Sequence, residues 1–538
     1  MKKLLLALSA GMIISCGNPL IETDLILYNG PIYTVDSSFS VAEAMAITNG
    51  KIVAVGKYED VFGTYSSKDS INLNGTPVYP GLIDAHCHFM GYADGLGNAE
   101  LIGASSWEET VARLIAFRNS HPDLPYLVGR GWDQNDWPGK KYPDRRLLDD
   151  AFPDIPVVLS RVDGHAIMVN RAALEMSGIT TKTRIQGGDV VVENGELTGL
   201  LIDNAETLVQ LPPKENQIKA DLLKKAEQNI FKKGLTYLVD AGLPLSDLQF
   251  IRSLQDKGDL KVRFYGMVSD GNADIRRMIE QGPIQTERMT IRSFKFYSDG
   301  ALGSRGALLR EPYSDMPGHF GLPVTSYHRM DSIFPILAKA GFQVNTHAIG
   351  DSATHLITDL YLRYMPEGGE WRIEHAQVMG KEDIERACGK GVWMSVQPTH
   401  ATSDAPWAED RLGHKRIEKA YSYQQMIDIC SKVALGTDFP VENISPFLTF
   451  RSAISRKDPN NQPEGGFRPD QALSRMDALR GMTIWAARSV FADETVGSLE
   501  PGKSADFIVL DRDIMNIPDD EILKVTVLNT YIAGERVH

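Results

Sequence analysis

The amino-acid sequence predicts an α/β fold: a (β/α)8 TIM barrel, a small β-sandwich domain built from both chain ends, and a large insertion over the barrel mouth. Three observations carry this expectation. Short apolar runs alternate with amphipathic stretches through most of the chain, which implies a parallel sheet with helical crossovers. Several of those runs close on a histidine, an aspartate or a lysine, and barrel sites lie at that end of the strands. A similar β-rich texture opens and closes the chain. With 538 residues, 43% of them hydrophobic, the core is ample for one barrel with additions. A doubly wound sheet is the alternative. It is weakened because no Gly-rich phosphate loop follows any of the runs.

Residues 1–15 stand apart. Lys2 and Lys3 precede an apolar run from Leu4 to Ile14, and Ser15 precedes Cys16. This is the layout of a secretory signal, and IISC is similar to a bacterial lipobox. The expectation is cleavage before Cys16 and a lipid on its sulfur. The protein would then be an exported, membrane-anchored lipoprotein, periplasmic or on the cell surface.

From residue 24 to 78, LILYNGPIYTVD and AMAITNGKIVAVG are apolar, β-branched runs punctuated by Asn-Gly. That dipeptide is the strongest short hairpin signal. The texture returns over 495–538, in GSLEPGKSADFIVLDRD and VTVLNTYIAGERV. Two β segments at opposite ends of a chain can pair into one small domain. The barrel is expected over 79–494. Its strands include TYLVDAG, MTIRSFKFYSDG, GFQVNTHAIGD, WRIEHAQ, GVWMSVQP and SKVALGTDFP, interleaved with amphipathic stretches such as Ile218–Lys233 and Met330–Ala340. Residues from about 97 to 215 break the rhythm and read as an insertion near the mouth.

The net charge of −14 and pI of about 5.4 argue against nucleic acid as a partner, because phosphate backbones need a basic surface. A small-molecule substrate is expected, and a homo-oligomer is left open. The body holds no run of about 18 apolar residues, the length that crosses a bilayer. The cysteines are Cys16, Cys87, Cys388 and Cys430. With Cys16 lipidated, an odd and widely spread set remains, which is not a disulfide framework. Export would nevertheless permit a disulfide.

The chemistry begins at PGLIDAHCH, residues 80–88. Alternate residues of a strand share a face. His86 and His88 can therefore present two imidazoles side by side, with Cys87 turned away, which is half of a metal site. The other strand-like runs supply Lys295, His347, His375 and Asp438 near their C-terminal ends. Each has a bland reading when taken alone. A strand-end histidine is more often a hydrogen-bonded structural residue, a lysine snorkels to the surface, and an aspartate caps a helix. Their conjunction on independent strand ends favours a metal centre.

These motifs resemble the amidohydrolase superfamily. GWDQNDW, DGHAIMVNRAAL, GELTGLL, FYSDGALGSR, NTHAIGD, IEHAQ, GTDFPV and GSLEPGKSADFIVLD are similar to the branch called amidohydrolase family 3, over residues from about 24 to 538. The resemblance implies a divalent metal, Zn2+ foremost, as one or two ions, with His86, His88, Lys295, His347, His375 and Asp438 as ligands. It implies that Lys295 is carboxylated and that its carbamate bridges two metals. That step needs a neutral amine, which burial favours. Asp438 would take the proton from the attacking water and pass it to the leaving amine. The implied reaction is hydrolysis of an amide-type C–N bond in an N-acyl or N-formyl amine. Trp132, Asp133 and His165 in the insertion, Asp299 and Arg305 in SDGALGSR, and His400 after the seventh strand are candidate substrate contacts. Two other readings remain. One is a deaminase on the same barrel, although Ala-Ile-Gly-Asp follows His347 where nucleobase deaminases carry a His-x-x-Glu pattern. The other is a non-catalytic surface binding protein.

Overall fold

The computed structural model describes residues 19–161, 166–185, 188–213 and 215–538. The expected signal with Cys16, and His165, lie outside the described residues. Eight parallel strands follow one another in sequence order: β1 (Leu82–Cys87), β2 (Leu235–Leu243), β3 (Arg263–Ser269), β4 (Met289–Tyr297), β5 (Gln343–Ala348), β6 (Arg372–His375), β7 (Trp393–Val396) and β8 (Ala434–Leu435). The short strand Ile284–Gln285 adds to β4. The sheet is a near-closed barrel. Where β8 returns to β1, the Asp438 N–H donates to the His86 carbonyl and the His88 N–H to the Phe439 carbonyl, both at 2.8 Å. Gly436 permits that seam, since a Cβ there would lie 2.5 Å from the His86 nitrogen.

The expected helices at Ile218–Lys233 and Met330–Ala340 form as Asn216–Phe231 and Tyr327–Lys339. The sequence reading passed over β3. Arg263 opens it and Gly266 interrupts it, so its apolar run is broken on the page although the strand is buried along most of its length.

Both chain ends enter one sheet. Its order is Glu535–Arg536, Val527–Ile532, Phe507–Leu510, Val78–Pro80, Ile21–Tyr33, Val41–Thr48 and Lys51–Gly56, with Tyr65–Asn72 paired to Ile21–Tyr33. Asn49-Gly50 makes the expected two-residue hairpin, with φ of 50° and 71°. Asn29-Gly30 does not turn the chain. It sits inside Ile21–Tyr33 as a bulge, where the register shifts between Tyr28 and Ile32. A Cβ on Gly30 would meet the Thr76 carbonyl oxygen at 2.5 Å.

The insertion forms its own six-stranded sheet, ordered Gly188–Glu193, Glu196–Asp203, Ala166–Val169, Val157–Arg161, Leu127–Trp132 and Ala99–Glu100. It has separate apolar cores on its two faces. Cys388 and Cys430 form a disulfide between helices Lys381–Lys390 and Tyr423–Cys430, with a Cα–Cα distance of 5.3 Å. The odd cysteine count had pointed to no such pairing. Among the described residues, no helix is long and apolar enough to cross a membrane.

Candidate metal centre

The ends of β1, β4, β5, β6 and β8 deliver the polar side chains. His86 is fully buried, and His88 keeps 30% of its side chain exposed. Cys87 points away, its thiol 3.5 Å from the Val239 carbonyl oxygen. Asp84 secures the seam. Its carboxylate accepts the His86 N–H at 3.2 Å, the Thr437 N–H at 3.0 Å and the Thr437 hydroxyl at 2.7 Å. His375 and Asp438 sit at φ of 71° and 63°. A non-glycine residue held in this left-handed region costs on the order of 1–3 kcal/mol, and such positions cluster at functional sites.

His86, His375 and Asp438 are all buried and offer ligand atoms within 4.8 Å of one another. Around them, Asp438 Oδ1 lies 3.1 Å from His88 Nε2 and 3.7 Å from His86 Nε2. Asp438 Oδ2 lies 3.4 Å from His400 Nε2, and the Lys295 Nζ is 3.5 Å from His86 Nε2. The His347 ring centroid is 4.5 Å from that of His375, and its Nε2 faces the Gly300 carbonyl oxygen at 3.5 Å. Asp438 Oδ1 is buried yet makes no hydrogen bond of good geometry. Buried polar atoms are rarely left so. A carboxylate oxygen with free lone pairs among imidazole nitrogens fits a divalent ion.

A second layer of contacts orients the rings. Glu374 Oε2 meets His86 Nδ1 at 2.5 Å, and Arg372 pairs with both oxygens of Glu374, at 2.8 and 3.0 Å. Gln397 Oε1 meets His375 Nδ1 at 2.8 Å. Each partner occupies Nδ1 and leaves Nε2 for a metal, the arrangement that fixes a ligating tautomer. Burial pushes His86 down to about 4 and His347 to about 3, with Lys295 adding to both, and it carries His375 well below its usual value. All three are therefore neutral at pH 7, as a ligand must be. Burial also pulls Lys295 down to about 8, against the pull of Glu374 and Asp438. Burial opposes the charge on Asp438, but His88, His86 and His400 outweigh it and hold the carboxyl well below the usual range.

His88, Lys295, His347, His375, His400 and Asp438 line one pocket of about 370 Å3. Among the described residues, the other expected contacts do not line it, although Asp299 Oδ1 comes within 3.7 Å of His347 Nε2. Trp132 is fully buried in the insertion's own core, and its indole N–H donates to the Leu159 carbonyl at 2.8 Å. Asp133 pairs with Arg161 at 2.6 Å. Arg305 forks onto Asp315 at 2.8 and 3.1 Å, outside the pocket. Asp299 is buried as a clamp, accepting the N–H groups of Leu308, Ile349 and Gly350 at 2.8–3.1 Å. That ties the loop after β4 to the end of β5. Sequence reasoning missed Glu374, Arg372 and Gln397. The available signal was Arg-x-Glu in WRIEH: two opposite charges on one face of a short apolar strand pair with each other or serve a site.

The fold and site together define a barrel with a metal-binding constellation at its strand ends. The chain belongs to the amidohydrolase family, whose sequence profile matches residues 69–538. Members of this family are hydrolases, typically dependent on a divalent metal. The chain is 31% identical to YtcJ of Bacillus subtilis, which carries an amidohydrolase name, over 95% of this chain and 99% of that one. It is 25% identical to the N-substituted formamide deformylase of Arthrobacter pascens, over 95% and 97%. Among solved structures, an uncharacterized metal-dependent hydrolase from Pyrococcus horikoshii superposes with a TM-score of 0.80 at 28% identity, covering 92% of this chain and 99% of that one.

Proposed function

We propose that the protein hydrolyses an amide-type C–N bond in small N-acyl or N-formyl amines, using Zn2+ or a similar divalent ion. The observation that carries this reading is the buried, hydrogen-bond-free Asp438 Oδ1 set among imidazole Nε2 atoms at the end of a pocket. The bound ion would polarise the substrate carbonyl and lower the pKa of water toward about 7. The chain supplies the rest. His86, His375 and Asp438 would hold an ion, and His88 and His347 beside them would complete the set for one or two ions. Lys295, buried and with a depressed pKa, reacts as a free amine with CO2: a C–N bond forms, one proton leaves, and a carbamate oxygen donor replaces a cation. Asp438 Oδ2, on the side facing His400, accepts the proton of the attacking water and returns it to the amine nitrogen as the C–N bond breaks. The products are a carboxylic acid and an amine.

The same reading extends to an exported mature chain held by lipid on Cys16, supported by the signal-like residues 1–15. The Cys388–Cys430 disulfide supports an oxidising compartment. Elemental analysis of the purified protein, followed by a screen against N-acyl and N-formyl amines, tests the hydrolytic reading. At least one equivalent of bound metal and release of free amine by the wild type but not by Asp438→Asn are expected. Metal-loaded protein that cleaves no amide in the screen would overturn it. Intact mass of the membrane fraction tests location, and a mature chain that still carries Met1 would refute the lipid anchor.

A further inference from the structure

The pocket that holds the metal ligands has a second chemical character. Asp404, Trp407 and Glu442 line it as well. Neither carboxylate makes an ion pair with a lysine or arginine among the described residues. Their partners are neutral: Asp404 Oδ2 accepts from Gln377 Nε2 at 2.7 Å and from the Tyr421 hydroxyl at 2.8 Å, and Glu442 Oε1 accepts from the Ser403 hydroxyl at 2.6 Å. Arg411, which lies over Trp407, is committed to Asp315 and the Gly303 carbonyl. Two carboxylates without lysine or arginine partners, lining one pocket, can attract an organic cation.

We propose that Asp404, Glu442 and Trp407 form a cation subsite, and that the substrates are N-acyl or N-formyl amines carrying a second, protonated amino group on a short alkyl chain. The substrate part of this proposal rests on the reading of the pocket as a C–N hydrolase. The amide carbonyl lies at the metal ligands while the ammonium is held by Asp404 and Glu442. The hydrolytic step is unchanged: water adds to the carbonyl, the C–N bond breaks, and the proton goes to the departing nitrogen. The product is a diamine, and a carboxylate in place of the distal ammonium is repelled.

The test compares three near-isosteric formamides on the metal-loaded enzyme: N-formyl-1,4-diaminobutane, N-pentylformamide and N-formyl-4-aminobutanoate. Charge-assisted contact to two carboxylates is expected to raise kcat/KM for the first over the second by about tenfold or more. The third should fall below the second. The Asp404→Asn/Glu442→Gln double variant keeps an acceptor oxygen for Gln377, Tyr421 and Ser403 but removes both charges. It should erase the preference, chiefly through KM, with metal content unchanged. Glu442→Gln alone, on a part-exposed side chain, should lose part of it and covers the case in which the double variant fails to fold. If the neutral formamide is cleaved as well as the ammonium one, and the variants change nothing, the subsite is wrong and the hydrolase stands. If no formamide is cleaved, the N-formyl arm of the hydrolytic reading fails, and calorimetric titration with 1,4-diaminobutane decides the subsite by itself. Binding that weakens at least about tenfold in the double variant sustains it, and absent or unaltered binding overturns it.

Discussion

In the insertion, several buried polar side chains are satisfied locally, although the Trp107 indole N–H is buried without a hydrogen bond. The Trp132 and Trp137 indoles donate to the carbonyls of Leu159 and Ala104, each at 2.8 Å. The buried Asn170 gives two hydrogen bonds, to Phe152 and Ile155, and accepts two, from Val157 and Ala173. At the barrel mouth the same kinds of side chain are satisfied on one side only. His86 and His375 spend Nδ1 on Glu374 and Gln397 and leave Nε2 open. Asp438 Oδ1 and His400 Nε2 are buried without a hydrogen bond. Burial alone does not separate the regions, since Trp132 and His86 are both at 0% exposure. What marks the barrel mouth is that several such half-filled groups, His375, His400 and Asp438 among them, line one cavity where a ligand can complete them.

Two substitutions break the comparison at its strongest point. Asp438→Asn should lower turnover by roughly 10²–10⁴-fold, the usual worth of a general acid–base group. It should cost folding stability far less than that, because Asn tolerates a left-handed φ of 63°, although the imidazoles that hold the Asp438 carboxyl low lose its charge. Single-turnover kinetics beside a thermal melt checks both halves; a melt lowered as severely as the rate would make Asp438 a structural residue. Glu374→Gln should weaken metal binding about 10–100-fold by releasing His86. It should also cost about 3–5 kcal/mol, because Arg372, at 0% exposure, loses its counter-charge. Chelator competition and denaturant unfolding read the two effects separately.

These contrasts also show what the sequence makes visible. His86, His347, His375 and Asp438 stand out because a polar group closing an apolar strand needs a reason, and the strand order then places them on one rim. Glu374 and Gln397 do not stand out, because their roles depend on a neighbour in space: Glu374 reaches His86 across 288 residues of chain. GWDQNDW lies apart from the pocket for a related reason. Tryptophan and aspartate between turn residues look like a binding loop, but here the sheet of the insertion folds them onto Leu159 and Arg161. Asn29-Gly30 shows the same limit in the backbone, since a bulge and a hairpin both ask for a residue at positive φ.

The disulfide gives a smaller effect that sharpens the comparison. Cys388 and Cys430 bracket β7, Gln397, His400, Asp404 and Trp407, so one covalent tie secures a whole wall of the pocket. Replacing both cysteines with alanine should cost about 2–4 kcal/mol, read as a lower denaturant midpoint. Metal affinity should change little, because the closed loop carries no metal ligand and reaches His375 only through Gln397.

The smallest effect is expected at Trp132, and it tests the contrast from the other side. Trp132→Phe keeps most of the ring volume in the insertion's core but removes the donor to Leu159. The carbonyl left behind is one acceptor in a strand already laddered to its neighbours, so the loss should be about 1 kcal/mol. The missing ring atoms add a shallow void near Trp107 and Trp137, whose rings lie 6.5 and 6.0 Å from that of Trp132. Metal content and kcat/KM should not move, because Trp132 reaches neither the pocket nor any residue that orients a metal ligand. A thermal melt should register the change and a steady-state assay should not. If the assay moved and the melt did not, the insertion would be acting on substrate through this residue.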